Sequence, residues 1–166
     1  EGIGMFGYLS NFRNNLRTLF KNKDSKGYTS VTDQEEDYKN LCCLTATDQN
    51  VFKTFRRSRP IRRVMEHVPV EYAQTLLKII ETDYPQLIQH FPKFKTSEKF
   101  GSPLLYDFGK YGKFAPTTIR YIYHLGEMQK LLGSSLGNMN IVEIGVGYGG
   151  QCKIIHDYFQ IKQYTL

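Results

Sequence analysis

The stretch IVEIGVGYGG, residues 141–150, decides the fold of the second half of this chain. It opens as a short apolar strand and then places four glycines within six residues. Glycine permits a left-handed backbone and close approach to the main chain, and a helix that begins there presents unpaired N–H groups. We therefore expect a buried-type strand over 140–144, a glycine turn, and a helix over 149–159.

The residues after this helix begin a second strand, Tyr164-Thr165-Leu166. Strand, glycine turn, helix and strand make one βαβ unit, whose two strands are parallel. Two parallel strands cannot bury a sheet between them. We expect the remaining strands of an α/β domain to lie outside this sequence.

The part before residue 100 predicts helices, and we expect residues 1–99 to form a helical N-terminal region. Asp33 and Asp48 can each cap a helix, and Pro60 interrupts the second of these. Residues 21–30, KNKDSKGYTS, are almost entirely polar and contain a glycine, which is typical of a loop.

A third helix starts at Pro69, because the apolar residues that follow keep approximately to one helical face. Residues 100–116 then mix glycine, aromatics and lysine and predict an ordered loop. Pro116 is favoured in the first turn of the next helix. We assign residues 100–166 to this loop, the Pro116 helix and the start of the α/β domain.

Glu143 is unusual because it lies inside the strand, two residues before the first glycine. The spacing of Gly145, Gly147 and Gly150 fits the G-x-G-x-x-G pattern of dinucleotide sites. A carboxylate below a pyrophosphate would repel it, so Glu143 suits a ligand that is cationic at the loop. Glu143 could also brace the turn by accepting backbone N–H bonds in an unrelated α/β protein. A phosphate-binding P-loop is excluded, since no Gly-Lys-Ser/Thr ends the turn.

VEIGVGYG, residues 142–149, resembles the first motif of class I S-adenosylmethionine-dependent methyltransferases. The longer strings SPLLYDFGKYGKFAPTTIRY, NIVEIGVGYGGQCKIIHDYF and YTL resemble the bacterial sugar O-methyltransferases. This resemblance covers residues 101–166 and extends loosely back over 52–68.

The resemblance implies an α/β, Rossmann-like methyltransferase sheet, of which this chain holds only the first βαβ element. It implies S-adenosylmethionine as cofactor and an acidic residue after the second strand, beyond Leu166, for the ribose. No catalytic residue can be named. The cofactor-binding residues that it implies are Glu143, Gly145, Gly147, Tyr148 and Gly149.

The segment YDFGKYGKFAP, residues 106–116, offers the aromatic faces and polar groups that carbohydrate sites commonly use. It is a candidate site for a sugar, a nucleotide-sugar or a glycan. The alternative is that its aromatic residues pack as a cap onto the sheet. The candidate substrate-binding residues are Tyr106, Asp107, Lys110, Tyr111 and Lys113.

The net charge of +6 comes from one place, because KTFRRSRPIRR, residues 53–63, carries six basic residues and no acid. Such a patch could hold the phosphates of an activated sugar, or it could be a solvated helix face. Phe52, Phe55 and Ile61 interleave with the charges at helical spacing, which is typical of a buried stripe rather than a base-stacking platform. No nucleic-acid partner is therefore predicted.

Several classes of protein are disfavoured by composition. No apolar run approaches the ~20 residues that span a bilayer, and the N-terminus lacks a secretory signal. The three cysteines, Cys42, Cys43 and Cys152, suggest reduced thiols in a cytoplasmic protein. The four histidines follow no metal-ligand spacing, so no metal site is predicted.

The sequence thus predicts an S-adenosylmethionine-dependent methyltransferase that acts on a sugar or glycan hydroxyl. We expect the 166-residue chain alone to be inactive, because it holds only two strands of the sheet. Two alternatives stay open: a nicotinamide-dependent Rossmann oxidoreductase, and a non-catalytic helical interaction module.

Overall fold

The computed structural model describes residues 36–166 and shows a mixed α/β chain, mostly helical, with two small two-stranded sheets. Its first four helices are α1 (Glu36–Thr47), α2 (Gln49–Thr54), α3 (Arg59–Val64) and α4 (Val70–Asp83).

Asp48 caps α2 as predicted. Its Oδ1 accepts hydrogen bonds from the backbone N–H groups of Asn50 (2.7 Å) and Val51 (3.3 Å). The predicted cap at Asp33 and the predicted loop over 21–30 lie outside the described residues.

The predicted interruption of the helix at Pro60 is confirmed, since α2 ends at Thr54 and a separate helix, α3, begins at Arg59. The chain makes a 3₁₀ turn over Phe55–Arg57, and Pro60 then lies in the first turn of α3. Proline is tolerated there because its missing N–H would have had no partner inside the helix.

The helix predicted after Pro69 is confirmed as α4, which buries one face: Ala73, Leu76, Leu77 and Ile80. After it come a 3₁₀ turn (Pro85–His90), helix α5 (Phe91–Phe94) and a second 3₁₀ turn (Lys95–Lys99).

The loop predicted over 100–116 is ordered and contains a short hairpin. Strands β1 (Tyr106–Asp107) and β2 (Lys113–Phe114) pair antiparallel around a 3₁₀ turn. Gly112 adopts φ 80°, and its carbonyl accepts a 2.9 Å hydrogen bond from the N–H of Phe108. We call residues 106–114 the aromatic hairpin.

The main core lies between α4 and the helix predicted at Pro116, which is α6 (Pro116–Leu132). The two helices approach closely where Gly126 faces Tyr84, since a Cβ on Gly126 would lie 2.4 Å from the Tyr84 ring. Side chains of α7 (Gly150–Tyr158), among them Ile154 and Ile155, complete this core.

The predicted βαβ unit is confirmed. Strands β3 (Asn140–Val142) and β4 (Gln163–Thr165) pair in parallel, with Ile141 opposite Tyr164, and α7 joins them. Beyond β3, the N–H of Glu143 still donates to the Thr165 carbonyl at 3.0 Å. The chain then turns at Gly145, so the strand ends before the predicted Ile144.

Only one face of this small sheet is covered by described residues. Ile141 and Tyr164 pack against the main core, whereas Val142 is 70% exposed and Ile144 is 96% exposed. The expectation of a buried-type strand was therefore wrong for the part of the chain described, because helices cover the sheet on one side alone.

A second, smaller core contains Phe55, Ile61 and Met65, and Tyr148 from the glycine turn packs against it. The turn thus lies between the α2–α3 region and the main core.

Candidate functional site

The glycine turn borders a cleft of about 640 Å³, which we call the glycine cleft. It is formed by the turn, by α6 and by the end of α3. Its lining residues are Tyr38, Val64, Met65, Arg120, Tyr121, His124, Glu143, Gly145, Val146, Gly147, Gln151 and Leu166.

The turn depends on glycines that adopt left-handed backbone. Gly145, Gly147 and Gly149 have φ values of 76°, 58° and 80°. Position 147 also has no room for a side chain as the structure stands, because a Cβ there would lie 2.8 Å from Sδ of Met65. A Cβ on Gly145 would meet no atom within 4 Å, so this glycine faces open space.

Glu143 lies at the carboxyl end of β3 and lines the glycine cleft. Its Oε2 accepts a 2.8 Å hydrogen bond from the hydroxyl of Tyr164 on the neighbouring strand. Burial, together with this carboxylate, raises the pKa of Tyr164, so the phenol stays a donor. Glu143 is thus half-buried and held in place at the position where open α/β sheets bind ligands.

Cys152, in the first turn of α7, is close enough to Glu143 to sense its charge. Burial, and secondly that carboxylate, raise the pKa of the thiol. The protonated thiol of Cys152 is therefore favoured over the thiolate.

Three of the five predicted cofactor residues line the glycine cleft, and the other two do not. Glu143, Gly145 and Gly147 line the glycine cleft, and Gly149 instead forms the N-cap of α7. Tyr148 turns away into the smaller core.

The phenol of Tyr148 donates a 2.8 Å hydrogen bond to Oε1 of Glu66, and its ring lies 4.8 Å from the guanidinium carbon of Arg56. Burial is the main reason that the pKa of Tyr148 is raised. Tyr148 therefore anchors the glycine turn to the helical region.

Arg56 is the centre of this anchor and is 1% exposed. Its Nε lies 2.5 Å from Glu66, and its Nη1 lies 3.3 Å from Glu98. Among the six basic residues of the charged patch, Arg56 is therefore the one that forms buried ion pairs. The other five are solvent-exposed: Lys53, Arg57, Arg59, Arg62 and Arg63.

The apolar stripe predicted within the charged patch is confirmed in part. Phe55 and Ile61 are buried in the smaller core, whereas Phe52 is exposed.

Four cleft residues on α6 and α7 were not predicted: Arg120, Tyr121, His124 and Gln151. The amide Nε2 of Gln151 donates to the Tyr121 carbonyl at 3.1 Å, so its Oε1 faces Nδ1 of His124 at 3.3 Å. Because an amide oxygen only accepts, His124 must carry its proton on Nδ1. Burial, and then the charge of Arg120, lower the pKa of His124, which favours the neutral imidazole.

Arg120 has a buried Nε with no hydrogen-bond partner among the described residues. Its guanidinium carbon lies 5.6 Å from the centroid of the Tyr121 ring. These residues could have been suspected from their spacing, since Arg120, His124 and Glu127 lie three and four residues apart and mark a polar stripe on an otherwise apolar helix.

The predicted substrate residues lie on the aromatic hairpin. Lys110 (Nζ) and Tyr111 (hydroxyl) contact Glu81 of α4 at 3.1 Å and 2.6 Å. Oδ1 of Asp107 accepts a hydrogen bond from the Gly109 N–H at 2.8 Å. A second cleft, of about 360 Å³, lies between this hairpin and α4, and it shares no lining residue with the glycine cleft.

The aromatic side chains of the hairpin differ in how deeply they are buried. Phe108 and Phe114 are buried in the main core, and the Tyr111 ring lies 4.7 Å from that of Phe91. Tyr106 is exposed. The prediction of a cap on the sheet is thus confirmed only in part, because the packed rings lie against the helical core and not against the sheet.

Within residues 36–166, no group of three or more histidine, cysteine, aspartate or glutamate side chains could hold a metal ion. In the same residues, no helix has the length and apolar character needed to cross a membrane.

Comparison of the chain with protein-family models, curated proteins and solved structures gives no match. The similarity to sugar O-methyltransferases consequently rests on the motifs quoted above.

Proposed function

We propose that the glycine cleft binds the methionine end of S-adenosylmethionine and that the protein transfers its methyl group to a hydroxyl of a sugar or glycan. The observation that carries this proposal is the position of Glu143. Its carboxylate stands beside Gly145 and Gly147 and is held by Tyr164. A fixed anion at a glycine turn favours a cationic ligand, and the cofactor's ammonium and sulfonium supply that charge.

The size of the cleft supports a small-molecule ligand. Pockets for cofactors commonly measure about 300–1,000 Å³, and the glycine cleft, at about 640 Å³, falls in this range. Its wall combines the main chain of the turn with Tyr121 and Met65, which offer apolar surface. Such a wall suits a ligand with both charged and apolar parts.

A dinucleotide is less well served by the same cleft. Its pyrophosphate would have to lie against the turn, and the Glu143 carboxylate there would repel it. NAD binding is therefore the outcome that would favour the oxidoreductase alternative.

We propose that the acceptor sugar binds at the aromatic hairpin. Methyl transfer requires in-line approach of the hydroxyl to the methyl group. The hairpin cleft shares no lining residue with the glycine cleft. The exposed residues of the hairpin, Tyr106, Lys110 and Lys113, would therefore contact sugar units away from the reacting hydroxyl.

Calorimetric titration of the full-length product of the open reading frame tests the proposal, with S-adenosylmethionine and NAD as ligands. Glu143→Gln keeps the shape of the side chain and removes its charge. A charge-assisted contact is worth about 1.5–3 kcal/mol, so affinity for S-adenosylmethionine should fall by roughly ten- to a hundredfold.

Glu71→Gln, an exposed change of the same kind on α4, is the matched control and should leave the affinity unchanged. Unchanged S-adenosylmethionine binding by Glu143→Gln would remove the electrostatic role of Glu143. Tight NAD binding by the unmodified protein would overturn the methyltransferase proposal.

A further inference from the structure

We infer that Arg120 is a carboxylate-binding residue of the glycine cleft, which holds the amino-acid carboxylate of the cofactor while Glu143 faces its ammonium. This inference rests on the proposed function and adds the residue that recognises the second charge of the methionine end.

The first supporting observation is an unsatisfied donor. Nε of Arg120 is buried, and within residues 36–166 it has no hydrogen-bond partner. Buried polar groups without partners are rare in folded proteins, and each one calls for an explanation such as a missing ligand. Arg120 lines the cleft, so a ligand there can reach its guanidinium.

The second observation is the contrast with Arg56. Both arginines have a buried nitrogen without a partner, but Arg56 has two internal carboxylates, Glu66 and Glu98, within 3.3 Å. Its ion pairs explain why it is buried. For Arg120 the described contacts of the guanidinium are with Tyr121, its ring at 5.6 Å and its hydroxyl by a side-chain hydrogen bond, and neither satisfies Nε. A carboxylate brought into the cleft by a ligand would pair with the guanidinium of Arg120 as Glu66 and Glu98 pair with that of Arg56.

The third observation is the arrangement of charge. The cleft wall carries a guanidinium on α6 and a carboxylate at the end of β3. An amino acid in its zwitterionic form presents a carboxylate and an ammonium together, and an arginine fork matches carboxylate geometry. A ligand of net negative charge would gain from Arg120 but would be repelled by Glu143. The pair therefore favours a zwitterion.

The test compares S-adenosylmethionine with decarboxylated S-adenosylmethionine, which keeps the ammonium, sulfonium, ribose and adenine and lacks only the carboxylate. Affinities of both ligands are measured by calorimetry for the full-length protein and for Arg120→Gln, Arg120→Lys and Arg59→Gln. Arg59 is an exposed arginine of α3, so its change removes the same charge elsewhere.

We expect the unmodified protein and Arg59→Gln to bind S-adenosylmethionine at least tenfold more tightly than the decarboxylated ligand. Arg120→Gln should abolish this preference by weakening S-adenosylmethionine binding alone. Arg120→Lys should keep part of the preference, because lysine supplies the charge without the fork. If Arg120→Gln folds poorly, the ligand preference of Arg120→Lys tests the inference in its place.

Equal weakening of both ligands by Arg120→Gln would show a purely structural role and overturn the inference, while the proposed function would stand. An unmodified protein that binds both ligands equally would overturn it as well. If the unmodified protein binds neither ligand, the proposed function fails, and the inference fails with it.

Discussion

The hydroxyl of Tyr164 on β4 donates a 2.8 Å hydrogen bond to Oε2 of Glu143, the residue that follows β3. Together with the bond from the Glu143 N–H to the Thr165 carbonyl, it joins the ends of both parallel strands at the edge of the glycine cleft. The charge of the cleft is therefore positioned by the second strand as well as by the first.

Tyr164→Phe should test this relationship. It removes the donor and keeps the ring, and a hydrogen bond to a charged group contributes about 1.5–3 kcal/mol. Since Glu143 is only half-buried, we expect a loss near 1.5 kcal/mol in the free energy of unfolding, measured by urea denaturation. Tyr72→Phe, on the exposed side of α4, should change stability by less than about 0.5 kcal/mol. Equal stability of the two variants would contradict the prediction.

The glycine turn gives a second prediction, because a side chain added at Gly147 would meet Met65 and one added at Gly145 would meet no atom within 4 Å. Gly145→Ala and Gly147→Ala both place a side chain on left-handed backbone, which costs roughly 1–2 kcal/mol. Gly147→Ala additionally brings Cβ within 2.8 Å of Sδ of Met65. It should therefore be the more destabilising change, by about 1 kcal/mol or more.

Denaturation of both variants measures this difference. In a double-mutant cycle with Met65→Ala, the double variant should lose less free energy of unfolding than the sum of the two single losses. The reason is that the two sites contact each other, so their effects should not add. Equal losses for the two single variants would mean that Met65 moves aside without cost.

Local signals account for the elements that sequence reasoning predicted correctly. Asp48 as a cap, Pro69 and Pro116 before or at helix starts, and the glycine turn after an apolar strand all act within a few residues of themselves. Their outcomes depend little on the rest of the fold.

Long-range contacts account for what was missed. Six basic residues stand close together in the sequence, and nothing local distinguishes Arg56, whose partner Glu98 is 42 residues away. The spacing of Arg120 and His124 marks a polar stripe on α6, but whether that stripe faces solvent or a cleft depends on where the glycine turn packs. The exposed side of β3 also could not be read from an apolar run, since such a run does not say what covers each face.

The ion pairs of Arg56 lead to a third prediction. Arg56→Met removes the cation and leaves Glu66 and Glu98 as buried carboxylates, which typically costs 3–5 kcal/mol. Arg59→Met, an exposed change, should cost less than about 0.5 kcal/mol. Because Glu66 also holds Tyr148, the Arg56 variant should in addition weaken ligand binding at the glycine cleft.

The loss should depend on pH. Burial already raises the pKa of Glu98, although Arg56 opposes that rise. Without Arg56 the pKa should rise further, so the folded variant takes up a proton more readily than the unfolded chain does. A carboxyl group of this kind adds stability as the pH falls. The deficit of Arg56→Met relative to the unmodified protein should therefore shrink between pH 7 and pH 5; a deficit that grows would contradict the assignment.

His124 gives the last prediction, which concerns both its proton and its tautomer. Burial, followed by the charge of Arg120, lowers its pKa below the ordinary value of about 6.5 that holds in the unfolded chain. Above that pH both states are neutral. As the pH falls below it, the unfolded chain takes up a proton and the folded protein does not, so stability is lost until the folded pKa is reached. His124→Asn, which can still donate to Gln151, should lose less stability between pH 7 and pH 5 than the unmodified protein. Nitrogen-15 NMR should show the proton on Nδ1, because the Gln151 amide is fixed by the Tyr121 carbonyl. A proton found on Nε2, or a stability difference of the opposite sign, would contradict this account of the cleft.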